Sequence, residues 1–240
     1  MSTPPVPARS TTDPPLGLYA IAGNAAALRK VLQAGARTVQ LHIKRPADAA
    51  WTAALRQAVR DSLAAADGHG ALLFINDHWR LATELGARAV HLGQEDLLAL
   101  DEQGRAELRA SGLGLGVSPH AVWELCRARS LAPHYIACGP VWPTTTKDRP
   151  WRPQRLDNLA WWCRVAGVPV MAIGGILTPE QVRQTAAAGA SGVCVLRGLG
   201  SDPRLTVAAL QQAFEQGRQA AWAGAGQPVG PMHPTLGRAA

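Results

Sequence analysis

Eight short apolar runs, each followed by a stretch of helical character, recur between Gly17 and Gln216. The runs are Gly17–Ile21, Thr38–Ile43, Ala71–Ile75, Ala89–Leu92, Leu113–Val117, Tyr135–Cys138, Val168–Ile173 and Val193–Leu196. They are mostly apolar throughout and do not alternate cleanly, which marks strands covered on both faces, as in a parallel sheet. The helical stretches cover about 25–34, 47–66, 102–110, 121–131, 156–165 and 205–216, with one more ending at Leu85 and one running from Pro179 to Gly189. Gly35, Gly86 and Gly189 stop three of them, and Thr178-Pro179 reads as an N-cap followed by proline at the first helical position. Eight strand–helix units over roughly 200 residues predict a (β/α)8 TIM barrel. An open doubly wound sheet needs fewer units and a single crevice, and no G-x-G-x-x-G opens a helix after the first run.

The predicted organisation is one barrel domain over residues 17–217. A proline-rich leader, residues 1–16, and a Gly/Pro-rich tail, residues 218–240, are expected to be disordered. The formal net charge of +7 raises the question of nucleic acid, but no block of five or six Lys/Arg occurs and aromatics are only 5%. Most arginines fall along the helical stretches, as on a solvated face. Cys126, Cys138, Cys163 and Cys194 are widely spaced with no C-x-x-C, which favours buried thiols in a reducing compartment over disulfides or a zinc site. No run of about 18 apolar residues and no signal-peptide pattern is present. The expectation is a cytoplasmic protein acting on small molecules, with neither nucleic acid nor membrane as partner and a homo-oligomer left open.

Barrel active sites are built at the C-terminal ends of the strands. Polar residues gather at those ends here. The second run closes on Gln40, His42 and Lys44, alternate residues that share one face. The third gives Asn76-Asp77, the fourth Gly93-Gln94-Glu95-Asp96 and the fifth Ser118. The sixth enters Gly139-Pro140-Val141-Trp142-Pro143-Thr144-Thr145-Thr146-Lys147. The seventh gives Gly174-Gly175-Ile176 and the eighth Arg197-Gly198. Two carboxylates on adjacent ends, Asp77 and Asp96, suit one Mg²⁺. Lys44, Lys147 and the amide of Asn76 suit a diphosphate that shares the metal. Gly174-Gly175 offers bare backbone amides to a second phosphate ahead of the helix at Thr178-Pro179. Taken singly, each has a plainer reading. Asp77 serves equally well as a helix cap, Gln94-Glu95-Asp96 as an exposed polar turn, and the glycines as a tight turn.

Taken together these segments resemble the thiamine phosphate synthase family. The motifs are Val39-Gln40-Leu41-His42-Ile43-Lys44, Phe74-Ile75-Asn76-Asp77, His91-Leu92-Gly93-Gln94-Glu95-Asp96, Gly116-Val117-Ser118, Gly139 through Lys147, and Ala172-Ile173-Gly174-Gly175-Ile176. The resemblance covers roughly Gly17 to Gly198. It implies a transferase that joins hydroxymethylpyrimidine diphosphate to a thiazole phosphate, releasing diphosphate in a dissociative displacement with one Mg²⁺ per site. It implies Asp77 and Asp96 as metal ligands. Gln40, Leu41, His42, Ile43, Lys44, Asn76, Ser118 and Lys147 would hold the pyrimidine diphosphate, with Lys44, Ser118 and Lys147 in catalytic roles. Thr144, Thr145, Thr146, Gly175, Leu196 and Arg197 would hold the thiazole phosphate. Three positions depart from the family pattern: His42 stands where arginine is usual, Pro119 where threonine is common, and Arg197 where serine is usual. Two rival readings are a related barrel that only isomerises the thiazole phosphate and a non-catalytic ligand-binding barrel. Retention of Lys44, Asn76, Asp77, Asp96 and Lys147 argues against the first.

Overall fold

The computed structural model of the chain describes residues 16–43, 51–145 and 152–224. Its strands are β1 (Gly17–Ala22), β2 (Thr38–Leu41), β3 (Leu72–Asn76), β4 (Ala89–Gly93), β5 (Gly114–Ser118), β6 (Tyr135–Cys138), β7 (Val170–Ile173) and β8 (Gly192–Val195). They pair in chain order and close into a barrel, with β1 bonded in parallel to both β2 and β8. The described helices are α1 (Ala25–Gln33), α2 (Trp51–Gly68), α3 (Trp79–Glu84), α4 (Gln94–Leu98), α5 (Glu102–Ala110), α6 (Val122–Arg129), α7 (Arg155–Val165), α8 (Pro179–Ala187) and α9 (Val207–Gly224). The eight-unit parallel barrel expected from the apolar runs is the fold observed.

Strand geometry divides the core in two. Successive side chains point to opposite faces, so one set fills the barrel and the other meets the helices. Leu18, Ala20, Val39, Leu41, Leu73, Ile75, Val90, Leu92 and Val117 belong to the outer layer, buried with residues of the helices. The inner set is smaller: Tyr19, Phe74, Tyr135, Leu72, Ala89, Ala137, Met171 and Cys194, with Leu16 and Ile21. Three aromatic rings dominate it. Tyr19 lies 5.4 Å from Phe74 and 5.7 Å from Tyr135, and Phe74 lies 5.2 Å from Tyr135, tilted or edge-on. Removing such a ring costs about 3–5 kcal/mol. Their bulk requires absence elsewhere: a Cβ on Gly116 would sit 2.3 Å from the Tyr135 ring. This packing occupies the middle of the barrel.

Helix ends follow the local sequence. Asn24 caps α1, its Oδ1 accepting from Ala27 N at 2.8 Å, and Asp101 caps α5 by accepting from Gly104 N at 2.7 Å. Thr178 caps α8 with Pro179 at the first helical turn, as the dipeptide predicts. Two ion pairs link neighbouring helices on the outside: Arg56 of α2 bonds Glu84 of α3, and Arg80 of α3 bonds Glu107 of α5 at 3.0 Å. Hydrogen bonding from Arg56 holds the Glu84 carboxyl below its usual range. Such exposed pairs are weak.

The structure differs from the sequence reading in two elements. Gln94-Glu95-Asp96 is not an exposed turn but the first turn of α4, with Gln94 buried. Three polar residues directly after a glycine hide its helical character in the sequence. The last helix continues past the expected end at Gln216 to Gly224. Ala220, Ala221 and Ala223 favour helix, and no proline interrupts them.

Candidate active site

At the C-terminal mouth, above the aromatic layer, lies a cavity of about 350 Å³. Its base is polar. Gln40 of β2, Asn76 of β3, His91 of β4 and Ser118 of β5 are all buried and all face it. Parity explains the set: Gln40 alternates with the outward Val39 and Leu41 of β2, and Asn76 and His91 stand two residues beyond the inner-core Phe74 and Ala89. Gln40 Nε2 donates to Asn76 Oδ1 at 2.6 Å. That bond orients both amides, leaving the Gln40 carbonyl oxygen and the Asn76 N–H groups for a ligand. His91 bonds Ser118 Oγ through Nε2 at 2.8 Å and the Tyr135 hydroxyl through Nδ1 at 2.7 Å.

The opposite wall comes from the loops after β6, β7 and β8. Thr144, Gly175, Leu196 and Arg197 line the cavity there. Arg197 reaches across the mouth, donating from one guanidinium nitrogen to Thr145 Oγ1 at 2.9 Å and from the other to Thr144 Oγ1 at 3.3 Å. The β6 and β7 loops are bonded to each other, with Val141 N donating to Ile173 O at 2.9 Å and Trp142 N to Gly174 O at 3.1 Å. Gly175 has φ of 72°, and a Cβ there would lie 2.6 Å from the Trp142 carbonyl oxygen and 2.7 Å from that of Pro143. Only glycine fits, on both conformation and space. The α8 capping box uses the amides ahead of that helix: Leu177 N and Thr178 N donate to Gln181 Oε1 at 2.8 and 3.1 Å, and Gln181 N donates to Thr178 Oγ1 at 3.3 Å. The amides of Gly175 and Ile176, just before the cap, take no part in it.

The two carboxylates are half-buried beside the cavity and do not line it. Asp77 does not cap α3, whose N-cap is His78 with no side-chain cap bond. It holds φ of 63°, left-handed backbone that aspartate tolerates better than most residues and that clusters at functional sites. Its amide donates to His91 O at 2.9 Å, joining it to β4. Asp96, in the first turn of α4, accepts from Gly93 N at 3.1 Å through one oxygen. Among the described residues no cluster of three or more His, Cys, Asp or Glu is placed to hold a metal.

Of the sequence-predicted residues, then, Gln40, His42, Asn76, Ser118, Thr144, Gly175, Leu196 and Arg197 share one cavity, and Thr145 is tied to it through Arg197. Leu41 and Ile43 are buried in the outer layer against the helices, so their side chains do not reach the cavity. Strand alternation requires this: neighbours of Gln40 and His42 face the other way. Lys44, Thr146 and Lys147 lie outside the described residues. Sequence reasoning missed Ile21, His91, His120 and Cys194, all of which line the cavity. A signal existed. The alternate-residue rule applied to Gln40 and His42 also pairs Ser118 with His120. His91 lies inside an apolar run and not at its end, where a reading of strand ends does not reach it. Cys194 is a thiol in the site, but burial pushes its pKa well up, so it stays protonated and unreactive.

A closed (β/α)8 barrel with polar side chains and an arginine converging on one mouth cavity is the architecture of a barrel enzyme that acts on small molecules. The comparisons with known proteins narrow this. The family model for thiamine monophosphate synthase matches residues 18–199. A thiamine-phosphate synthase of Neisseria meningitidis is 43% identical over 211 residues, 88% of this chain and 96% of that protein. One from Rhizobium etli is 41% identical over 187 residues, 77% of this chain and 87% of its own. Among solved structures, a thiamine phosphate pyrophosphorylase from Pyrococcus furiosus superposes with a TM-score of 0.72 at 26% identity, covering 84% of this chain and 96% of that one. The chain belongs to the thiamine monophosphate synthase family. It is a transferase that forms thiamine phosphate, and its substrates are small molecules.

Proposed function

We propose that hydroxymethylpyrimidine diphosphate binds on the β2–β5 side of the mouth and thiazole phosphate on the β6–β8 side, so that the two rings are joined between them. The observation that carries this reading is the division of one cavity into an amide and hydroxyl floor, Gln40, Asn76 and Ser118, and a facing wall of Thr144, Gly175 and Arg197. Asn76 donates to a diphosphate oxygen, and the Gln40 carbonyl accepts from the exocyclic amine of the pyrimidine. Thr144 and Arg197, with the amides at Gly175 and Ile176, hold the thiazole phosphate and aim the ring nitrogen at the pyrimidine methylene. The methylene C–O bond breaks with its electron pair leaving on diphosphate, and the nitrogen lone pair forms the new C–N bond. Ile21, Pro140 and Ile173 give the cavity apolar walls that keep water from capturing the cation first. No side-chain nucleophile takes part.

The residues present fit Mg²⁺. It takes one or two carboxylates and completes its shell with water and substrate phosphate, so a two-carboxylate set without further protein ligands matches its chemistry. Asp77 and Asp96 would hold it: Asp77 is not used as a cap, and Asp96 spends only one oxygen on Gly93 N. When bound, Mg²⁺ supplies charge neutralisation to the departing diphosphate. Lys44 and Lys147 are assigned to the same diphosphate on the sequence motifs alone. No described helix is long and apolar enough to cross a membrane, and the four cysteines are free, which supports a reducing, cytoplasmic location.

Steady-state kinetics with each substrate varied in turn test the division of the cavity. Asn76→Ala should raise KM for the pyrimidine diphosphate and spare that for the thiazole phosphate, and Thr144→Ala should do the reverse. Equal effects on both substrates in either variant would contradict the assignment.

A further inference from the structure

We propose that His91 is a positioning residue that fixes the orientation of the Ser118 hydroxyl, and that Tyr135 and Tyr19 hold His91 in register from inside the barrel. The inference rests on the reading above that Ser118 contacts the pyrimidine diphosphate. Four buried polar groups form one chain. Ser118 Oγ lies 2.8 Å from His91 Nε2, His91 Nδ1 lies 2.7 Å from the Tyr135 hydroxyl, and Tyr135 donates to the Tyr19 hydroxyl at 3.0 Å. The chain runs from the cavity wall to the middle of the aromatic layer. The His91 ring also stacks on Tyr135, with centroids 5.6 Å apart and planes 15° from parallel. Its plane is thus fixed by packing as well as by two hydrogen bonds.

Each ring nitrogen of His91 faces one hydroxyl, and a hydroxyl both gives and takes a proton. The bond to Nε2 therefore fixes where Ser118 Oγ directs its hydrogen and its lone pairs, whichever tautomer the ring holds. The polar valences of Ser118 not spent on His91 are the ones it offers to the pyrimidine diphosphate. Stacking on Tyr135 and the bond to its hydroxyl keep the imidazole from turning, so loss of that hydroxyl loosens Ser118 without altering the cavity lining.

The test is a mutant cycle. Ser118→Ala should lower kcat/KM for the pyrimidine diphosphate and leave KM for the thiazole phosphate unchanged. Tyr135→Phe keeps the ring and removes only the relaying hydroxyl. It should lower the same parameter roughly three- to tenfold, the scale of one hydrogen bond. In a Ser118→Ala background, Tyr135→Phe should add nothing, because the chain acts through Ser118. His91→Gln, which can still reach Ser118, should retain more activity than His91→Leu. An undiminished Tyr135→Phe effect in the absence of Ser118, or none in its presence, overturns the relay alone. Unchanged kinetics in Ser118→Ala would instead overturn the assignment of Ser118 to the substrate.

Discussion

At the scale of single residues, Asp77 and Asp96 are the most demanding assignments. Alanine is a poor probe of either. Asp77 sits in left-handed backbone, where alanine costs about 1–2 kcal/mol, and Asp96 accepts from Gly93 N, a bond whose loss costs about 1 kcal/mol. Asparagine keeps both features and removes only the charge. Asp77→Asn and Asp96→Asn should each cut kcat on the order of 100-fold, with a melting temperature near that of the parent. Retained activity at any Mg²⁺ concentration would remove that carboxylate from the metal site. Arg197 is the other informative residue. Its guanidinium already bonds Thr144 and Thr145, so it is poised where a phosphate dianion would replace two hydroxyls as its partner. Arg197→Ser should raise KM for the thiazole phosphate several-fold and spare that for the pyrimidine diphosphate. If both constants are unchanged, the arginine is only a tether for the threonine loop. His42 lines the same cavity in place of the arginine usual in the family, and its imidazole gives a weaker and less permanent charge than a guanidinium would.

At the scale of elements, the site depends on three loops pressed together. The Gly139–Thr145 segment lies on β7 and the turn after it, through the bonds to Ile173 and Gly174 and the close approach to Gly175. Gly175→Ala combines positive φ with carbonyl oxygens 2.6 and 2.7 Å from the new carbon, so a loss of about 1–3 kcal/mol is expected. In a domain of this size that lowers Tm by roughly 2–4 °C per kcal/mol. Thiazole phosphate affinity should fall with it, since Thr144 and the Gly175 amide move apart. A normal Tm and normal KM together would show that the loops yield without cost. This layering was partly legible in advance. Apolar runs gave all eight strands, and the Thr178-Pro179 pair gave the start of α8. The short helix α4 was not legible, because burial of Gln94 depends on what packs over it and three polar residues carry no such information. Nor was the contact between the β6 and β7 loops, which unites residues 30 or more apart in the chain through backbone atoms that leave only glycines as a trace.

At the scale of the whole molecule, the split between barrel interior and outer layer decides what each residue can do. Strand parity places Gln40 and His42 inside and equally excludes the side chains of Leu41 and Ile43, a distinction that the motif taken as a block does not carry. The same parity would have exposed His91 and Tyr135 as an inward-facing pair, but their bonding depends on strand register across β4, β5 and β6, which no local pattern encodes. Burial also sorts the thiols. Cys126 is exposed, Cys163 is pushed up to about 12, chiefly by burial, and Cys138 and Cys194 are driven higher for the same reason. Under native conditions near pH 8, a disulfide-exchange reagent should label Cys126 rapidly and the other three only on unfolding. Because their folded-state pKa values are raised, the stability from keeping these thiols neutral is complete below the unfolded value near 8.5 and declines as pH rises above it. Fast labelling of more than one thiol in the folded protein would contradict the packing described here.

In the proposed reaction one mouth cavity brings two phosphorylated rings together and joins them without a side-chain nucleophile. Its most direct test is product formation by the purified full chain, with hydroxymethylpyrimidine diphosphate, thiazole phosphate and Mg²⁺ supplied together and each omitted in turn. Thiamine phosphate and diphosphate are expected in equal amounts when all three are present, and none when any one is missing. Binding of both substrates with no thiamine phosphate formed, at saturating Mg²⁺, would contradict it.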